Sequence, residues 1–342
     1  MAVVFSDRST DASMPSDTLT PLRFTPIFRT ALWGGSKLRT LFHAPPSDDP
    51  TGEAWVLSDQ GENSSVVAEG RLAGARLREL IQQMPERILG RASFVNGRFP
   101  LLLKFLHIRR PLSVQVHPND AKAREFEGPL ASGKTEAWYI VEADPTASLY
   151  CGLHAGVTPV QMRRAIEANR LEELLDTHRP ERGDCFLLPA GTVHALCDGL
   201  LVFEVQQTSD ITYRLYDWGR VDPKTGKPRE LHIEKGLACV NYSQGPCRPI
   251  CPTDEGHGRV RLTPLVECAY FTLGRWDAAS PFRAGEAGQC RMIVGVEGRA
   301  TLRHGGKEYG LGVGDTWLLP AEVGACEVVP QGPVVILECS LV

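Results

Sequence analysis

The hydrophobic pattern of the chain is that of a mainly β protein. Short apolar or alternating runs recur at roughly ten-residue spacing between turns rich in Gly, Pro and Asp, which is typical of antiparallel sandwiches and barrels. Helical periodicity is concentrated in residues 77–89, interrupted by Pro85, and in residues 158–175. In the second segment, Thr158 and Gln161 have the spacing of a capping box, which marks a helix start. The pattern therefore predicts an all-β fold with a few helices.

Three segments of the chain recur closer to its C-terminus. The clearest match is between GDCFLLPA at residues 183–190 and GDTWLLPA at residues 314–321. The other matches pair residues 138–143 with 292–297 and residues 199–204 with 332–338. Such repetition indicates duplicated structural units, and here it predicts two related β-barrels. The copies differ at His194, whose counterpart is Ala325, so only the first barrel can use this position for a ligand.

Four polar residues of the first predicted barrel form a candidate metal site. Gln115 and His117 lie two apart in a strand-like segment, so their side chains should project from the same face. Glu136 and His194 follow later in the chain. Two imidazoles, a carboxylate and an amide oxygen suit Zn²⁺ and would also accept Mn²⁺, Fe²⁺ or Co²⁺. A single histidine is more often an ordinary half-buried residue, but the four together predict a metal site.

Several motifs resemble those of the mannose-6-phosphate isomerase family in its shorter bacterial form. In chain order they are PLLLKFL at 100–106, LSVQVHP at 112–118, GKTEAWY at 133–139, PAGTVH at 189–194 and QTSDITYR at 207–214. The resemblance extends from about residue 25 to the last residues of the chain. It implies tandem cupin domains of the jelly-roll or β-barrel type, with one Zn²⁺ in the first. It also implies interconversion of mannose 6-phosphate and fructose 6-phosphate through an enediolate.

The resemblance implies a role for nine residues. They are the metal ligands Gln115, His117, Glu136 and His194, the catalytic residues Arg214 and Asp210, and the sugar-phosphate-binding residues Lys104, Ser113 and Lys134. Because a guanidinium stays protonated, Arg214 is expected to act electrostatically rather than as a base. The base is left open between Asp210 and a hydroxide bound to the ion. Lys104 lies in a very apolar run, where a lone cation should either snorkel or find an anion, for which a phosphate would serve.

The sequence divides into three parts by composition and repeat. We expect a disordered tail over residues 1–20, a metal-binding cupin domain with helical insertions over residues 21–240, and a metal-less cupin domain over residues 257–342. The turn-rich loop at residues 219–229 could be a surface connection or a lid over the pocket.

Composition narrows the partners and the compartment. The 37 Lys and Arg residues against 41 Asp and Glu leave a net charge of −4 without a basic run, which disfavours nucleic acid. No apolar stretch approaches the roughly eighteen residues of a membrane span, and no secretory signal is recognisable. The ten cysteines form no CxxC pair, and Cys247 and Cys251 are expected to be the most exposed thiols. We therefore expect a cytoplasmic protein, and the family resemblance implies a monomer that acts on a small sugar phosphate.

Two other functions are compatible with a cupin barrel. One is a non-catalytic regulatory protein that binds sugar phosphates and keeps the metal site. The other is an iron-dependent oxygenase, against which the amide ligand Gln115 argues. Fold alone does not separate these functions, because cupin barrels carry many chemistries.

Overall fold

Antiparallel strands make up most of the fold, as predicted. The computed structural model describes residues 18–92, 94–221, 226–250 and 259–342. The strands up to residue 250 are β1 Leu22–Arg23, β2 Ile27–Gly35, β3 Thr51–Leu57, β4 Asp59–Gln60, β5 Asn63–Ser64, β6 Leu101–Ile108, β7 Val114–Val116, β8 Glu136–Ala143, β9 Leu149–Leu153, β10 Leu175–His178, β11 Cys185–Leu188, β12 His194–Leu196, β13 Leu200–Gln207 and β14 Tyr213–Tyr216. The later strands are β15 Val260–Glu267, β16 Phe271–Ala278, β17 Phe282–Ala284, β18 Arg291–Glu297, β19 Arg299–His304, β20 Lys307–Gly312, β21 Thr316–Leu319, β22 Cys326–Pro330 and β23 Val334–Leu341.

The helices are short. They are α1 Lys37–Leu41, α2 Leu77–Gln83, α3 Pro85–Leu89, α4 Asp120–Glu127, α5 Pro159–Glu167 and α6 Ile233–Cys239, together with a 3₁₀ helix at Leu171–Leu174. The first predicted helical segment is confirmed, with Pro85 starting a new helix, whereas the second is shorter than predicted, because α5 ends at Glu167 and Leu175 already begins β10. The capping box is present, because Thr158 Oγ1 accepts from Gln161 N–H and Gln161 Oε1 accepts from Thr158 N–H. Among the described residues, no helix has the length and hydrophobicity needed to cross a membrane.

The strands form two barrel-like units that correspond to the predicted repeat. In the first, a six-stranded sheet in the order β11-β8-β13-β6-β3-β2 faces a five-stranded sheet in the order β10-β9-β12-β7-β14. In the second, the sheets are ordered β1-β21-β18-β23-β16-β15 and β17-β22-β19-β20. The repeated turns match in detail, since Gly183 and Gly314 have φ values of 95° and 91°. Each is followed by an Asp, at 184 and 315, that accepts a backbone N–H from three residues upstream.

Strand β6 is buried on both faces and separates two cores. Leu103 and Phe105 belong to a core shared with the second unit, whereas Leu106 belongs to the interior of the first barrel. Because side chains alternate along a strand, Lys104 points to the same side as Leu106. The apolar run that surrounds Lys104 in sequence therefore results from burial on both faces.

The segment that precedes the first barrel in the sequence packs against the second barrel. Strand β1 precedes the first barrel but pairs with β21 of the second, with Leu22 opposite Leu318. Leu19 is buried, and its N–H donates to Glu322 at 2.9 Å. Of the predicted tail, residues 1–17 lie outside the described residues. Residues 251–258, where the two units connect, also lie outside them, and the domain division stays a prediction.

The expectation for the cysteines is wrong at Cys247. Its side chain is buried, because its backbone N–H pairs with the carbonyl of Cys151 and holds the segment against the first barrel. Cys251 lies outside the described residues. Flanking prolines indicate a loop but carry no information about what covers it.

An ion pair at the junction of the units gives a testable pH dependence. Arg87 of α3 contacts both carboxylate oxygens of Glu322, one at 2.9 Å, and this pairing lowers the pKa of Glu322 to about 2. A depressed carboxyl pKa contributes stability that is present above the unfolded-state pKa of about 4.3 and is lost as pH falls toward 2. We expect Glu322→Gln to lower the free energy of unfolding by about 1 kcal/mol near neutral pH, since the pair is partly exposed.

Urea unfolding near pH 7 and near pH 3 measures this effect. The difference in the free energy of unfolding between Glu322→Gln and the unmodified protein should be smaller at the lower pH. Glu86→Gln is the matched control. Glu86 is exposed and lies on the same helix as Arg87, and its substitution should change the free energy of unfolding little. An equal loss at both pH values would contradict an electrostatic origin.

Candidate functional site

Three predicted ligands meet inside the first barrel. His117 directly follows β7, Glu136 begins β8 and His194 begins β12. One potential ligand atom from each lies within 4.8 Å of the other two, and all three residues are at most 2% exposed. Glu136 Oε1 lies 3.4 Å from His194 Nε2, and Glu136 Oε2 lies 3.5 Å from His117 Nε2. The structure thus brings together residues that are far apart in the sequence.

Backbone carbonyls orient the two imidazoles. His117 Nδ1 donates to the carbonyl of Ile211 at 2.8 Å, and His194 Nδ1 donates to that of Thr192 at 2.9 Å. Burial lowers the pKa of both histidines, so both rings are neutral. Each Nε2 is therefore unprotonated and keeps a lone pair near Glu136 that can serve a metal ion.

Gln115 lies beside this group. It is paired directly with His194 across β7 and β12, and its Nε2 lies 3.2 Å from His194 Nε2. A 180° rotation of the Gln115 amide group exchanges Nε2 with Oε1, and Oε1 can then serve as an oxygen ligand. The fourth predicted ligand is therefore within reach of the other three.

A lysine ammonium occupies the space between the ligands. Lys134 Nζ lies 3.0 Å from His117 Nε2, contacts Glu136 Oε2 and lies 3.5 Å from Glu204 Oε1. Burial alone would raise the pKa of Glu136, but the charge and the hydrogen bond of Lys134 hold it below its ordinary value, so the carboxylate stays ionised. The donor set thus accommodates positive charge, and two neutral imidazoles, a carboxylate and an amide fit a divalent ion.

Lys104 has the anions that its apolar surroundings require. Its Nζ lies 3.1 Å from Glu204 and 3.2 Å from Glu53. Burial opposes its charge, but the carboxylates of Glu204, Glu53 and Glu136 outweigh burial and raise its pKa. Sequence reasoning missed Glu53 and Glu204. Glu204 carried a usable signal, because it interrupts an apolar strand just as Lys104 does, and the two are direct partners across β13 and β6.

The cluster opens on a cavity of about 360 Å³. Every predicted site residue except His117 lines it, namely Lys104, Ser113, Gln115, Lys134, Glu136, His194, Asp210 and Arg214. The remaining wall is formed by Trp33, Glu53, Leu106, Leu112, Trp138, Leu196, Glu204, Thr212 and Arg229. The cavity is therefore a polar pocket with the candidate metal ligands on one side and two arginines among its more exposed residues.

Arg214 and Asp210 belong to the more exposed part of this pocket. Arg214 is paired with Gln115 across β14 and β7, and its Nη1 donates to the carbonyl of Glu230 at 2.8 Å. Burial and the neighbouring Arg229 lower its pKa, yet a guanidinium remains charged at physiological pH. Asp210 is exposed as a residue, but protein atoms crowd its carboxyl and raise its pKa through desolvation.

Family models match both halves of the chain. The phosphomannose isomerase type I catalytic domain matches residues 22–138, and the mannose-6-phosphate isomerase cupin domain matches residues 261–337. Mannose-6-phosphate isomerase ManA of Bacillus subtilis is 37% identical over 90% of this chain and 95% of its own length. The enzyme of Streptococcus mutans is 34% identical over 88% of this chain and 92% of its own length.

Solved structures show the same architecture. The crystal structure of mannose 6-phosphate isomerase from Bacillus subtilis superposes with a TM-score of 0.84 at 32% identity, covering 94% of this chain and 99% of that one. The apo form of the Salmonella typhimurium enzyme superposes with a TM-score of 0.70 at 17% identity, covering 94% and 99% of the two chains. At that identity the second match supports the fold alone.

Proposed function

The chain belongs to the mannose-6-phosphate isomerase family, and from this we propose that it interconverts mannose 6-phosphate and fructose 6-phosphate with one bound Zn²⁺. The observation that carries the proposal is the buried group of His117, Glu136 and His194 beside a cavity lined by arginine and lysine side chains. Such a cavity suits an anionic substrate next to a Lewis acid.

We propose that Gln115, His117, Glu136 and His194 hold the ion. The two Nε2 atoms, one carboxylate and one amide oxygen form a mixed N/O set, which zinc accepts and which contains no cysteine. When bound, the ion supplies a Lewis acid for the oxygens of the substrate. The backbone bonds to Nδ1 of each histidine keep both rings in the tautomer that the ligand role requires.

The other proposed roles follow from charge and position. Isomerisation moves a proton between C1 and C2 through an enediolate, so negative charge develops on oxygen. Arg214 stabilises that charge because it keeps its proton. Asp210, whose pKa is raised, is suited to accept the proton and return it. Lys104, Ser113 and Lys134 contact the bound sugar phosphate. A cytoplasmic location and a monomeric state are part of the same proposal.

A coupled assay tests the activity. The protein is incubated with mannose 6-phosphate, and added glucose-6-phosphate isomerase and its dehydrogenase convert the fructose 6-phosphate formed into a spectroscopic signal. We expect turnover that depends on the protein and on mannose 6-phosphate. Fructose 6-phosphate binding in calorimetry together with a flat coupled assay would contradict catalysis and favour the regulatory alternative.

A further inference from the structure

The two lysines of the pocket are already neutralised by carboxylates. Lys104 pairs with Glu53 and Glu204, and Lys134 pairs with Glu136 and Glu204. Within this buried group two ammonium charges face three carboxylates. A phosphate dianion placed against it would meet net negative charge before any metal ion binds, so the lysines alone are poorly suited to hold a phosphate.

The more exposed part of the pocket has the opposite charge. Asp217, 6% exposed, accepts Arg229 Nε at 2.8 Å on Oδ2 and is contacted on Oδ1 by Arg229 Nη2 and Arg220 Nη2. Arg214 lies close enough to Arg229 and Arg220 that both lower its pKa. Besides Asp217, the carboxylate near Arg214 is that of Glu230, whose side chain is 82% exposed. The guanidiniums of Arg229 and Arg220 therefore contact one buried carboxylate, and a third guanidinium, that of Arg214, lies near them.

Arg214 also has a buried hydrogen-bond donor that lacks a partner among the described residues. Its Nε is buried and makes no hydrogen bond within the part of the chain that the structure describes. A buried donor that lacks a partner is costly unless a ligand completes it. Arg214 and Arg229 both line the cavity, so an anion there could accept hydrogen bonds from both.

The backbone next to Asp217 is held in an unusual conformation. Trp218 has a φ of 58°, which bulky residues rarely adopt, and its Nε1 donates to the carbonyl of Leu112 at 2.6 Å. Arg220 donates to the carbonyl of Pro111. Both bonds hold the turn against the same segment, Pro111 and Leu112, and strain of this kind is kept where it serves a site. Asp217 is thus a rigid anchor for the guanidinium of Arg229.

We propose that Arg229, oriented by Asp217, binds the phosphate group of the substrate beside Arg214 and makes the enzyme selective for phosphorylated sugars. The inference rests on the proposed function. Arg229 uses Nε and Nη2 on Asp217, and its remaining N–H groups, which have no further partner among the described residues, can reach phosphate oxygens in the forked geometry that arginine offers. Asp217 is a positioning residue, since it acts through Arg229.

Steady-state kinetics of Arg229→Gln provide the test. We expect KM for mannose 6-phosphate to rise about 10- to 100-fold while kcat changes little, because a charge-assisted contact made equally in ground and transition states is lost. Selectivity for mannose 6-phosphate over unphosphorylated mannose should fall by a similar factor. Arg229→Lys keeps the charge but loses the forked hydrogen-bonding geometry, so its KM should lie between those of the unmodified protein and Arg229→Gln. Arg163→Gln, at an exposed arginine paired with Glu234, is the control.

Binding of inorganic phosphate separates the two proposals. Phosphate should inhibit the unmodified enzyme competitively and bind it in calorimetry, and Arg229→Gln should weaken both effects. Asp217→Asn should raise KM with kcat kept and with weaker phosphate inhibition. If the unmodified protein turns over substrate but Arg229→Gln keeps its KM and phosphate inhibition, the inference is overturned and the function stands. If the unmodified protein binds phosphate through Arg229 but does not turn over mannose 6-phosphate, the proposed function fails instead.

Discussion

Replacing Glu136 by glutamine is expected to reduce isomerase activity by about 10³-fold while the barrel stays folded. The carboxylate faces both His117 Nε2 and His194 Nε2, at 3.5 and 3.4 Å. Glutamine has nearly the same shape but no charge, so the site loses most of its attraction for a divalent ion. The coupled assay measures the loss, and metal analysis of the purified variant should show a matching fall in bound zinc.

The control for this substitution lies on the same strand. Glu142→Gln changes an exposed carboxylate at the far end of β8, which pairs with Lys37, and should keep full activity. Because Glu136→Gln also removes the anion beside buried Lys134, a second variant is needed. His194→Asn leaves the Lys134–Glu136 pair intact and should lose activity to a similar extent. Normal turnover in either variant, with the fold verified by circular dichroism, would contradict the proposed site.

Removing the metal ion is the second change with a large expected effect. Dialysis against a chelator should lower activity by about 10³-fold, since Lewis-acid stabilisation contributes several kcal/mol. Adding back Zn²⁺ should restore it at about one ion per chain. The midpoint of thermal unfolding should rise on adding the ion, because a ligand that binds only the folded state stabilises that state.

The metals are added back one at a time, so that each outcome identifies one hypothesis. Restoration by Zn²⁺ supports the isomerase. Restoration by Fe²⁺ with oxygen uptake would favour the oxygenase. Full activity in the chelator-treated protein, with metal analysis showing less than about a tenth of an ion per chain, would contradict a metal-dependent mechanism.

Much of the fold was predictable because the relevant signals are local. The capping box at Thr158 and Gln161, the alternation around His117 and the repeated GDxxLLPA turn each fix backbone conformation within a few residues. The pairing of His194 with Gln115 is not local, and only their ligand chemistry, the repeat and the family resemblance indicated that the two residues meet. Local chemistry thus identifies the elements, and the resemblance identifies which of them meet.

Other features depend on packing that a sequence does not display. Lys104 signals a missing anion, but only the register of β6 against β13 shows that Glu204 supplies it. Arg229 ends a turn-rich loop in the sequence, whereas its contact with Asp217 and its place in the cavity require the folded turn. Burial of Cys247 likewise depends on a strand segment nearly a hundred residues away.

Strand β1 has a consequence for how the two barrels hold together. Because β1 and β23 lie in one sheet, the metal-site barrel is inserted within the sequence of the other barrel and does not simply precede it. After a single proteolytic cut between residues 250 and 259, the two fragments would remain associated through the pairing of β1 with β21. The unit with Ala325 in place of a histidine therefore contains strands from both sides of the unit that carries His194 in the sequence.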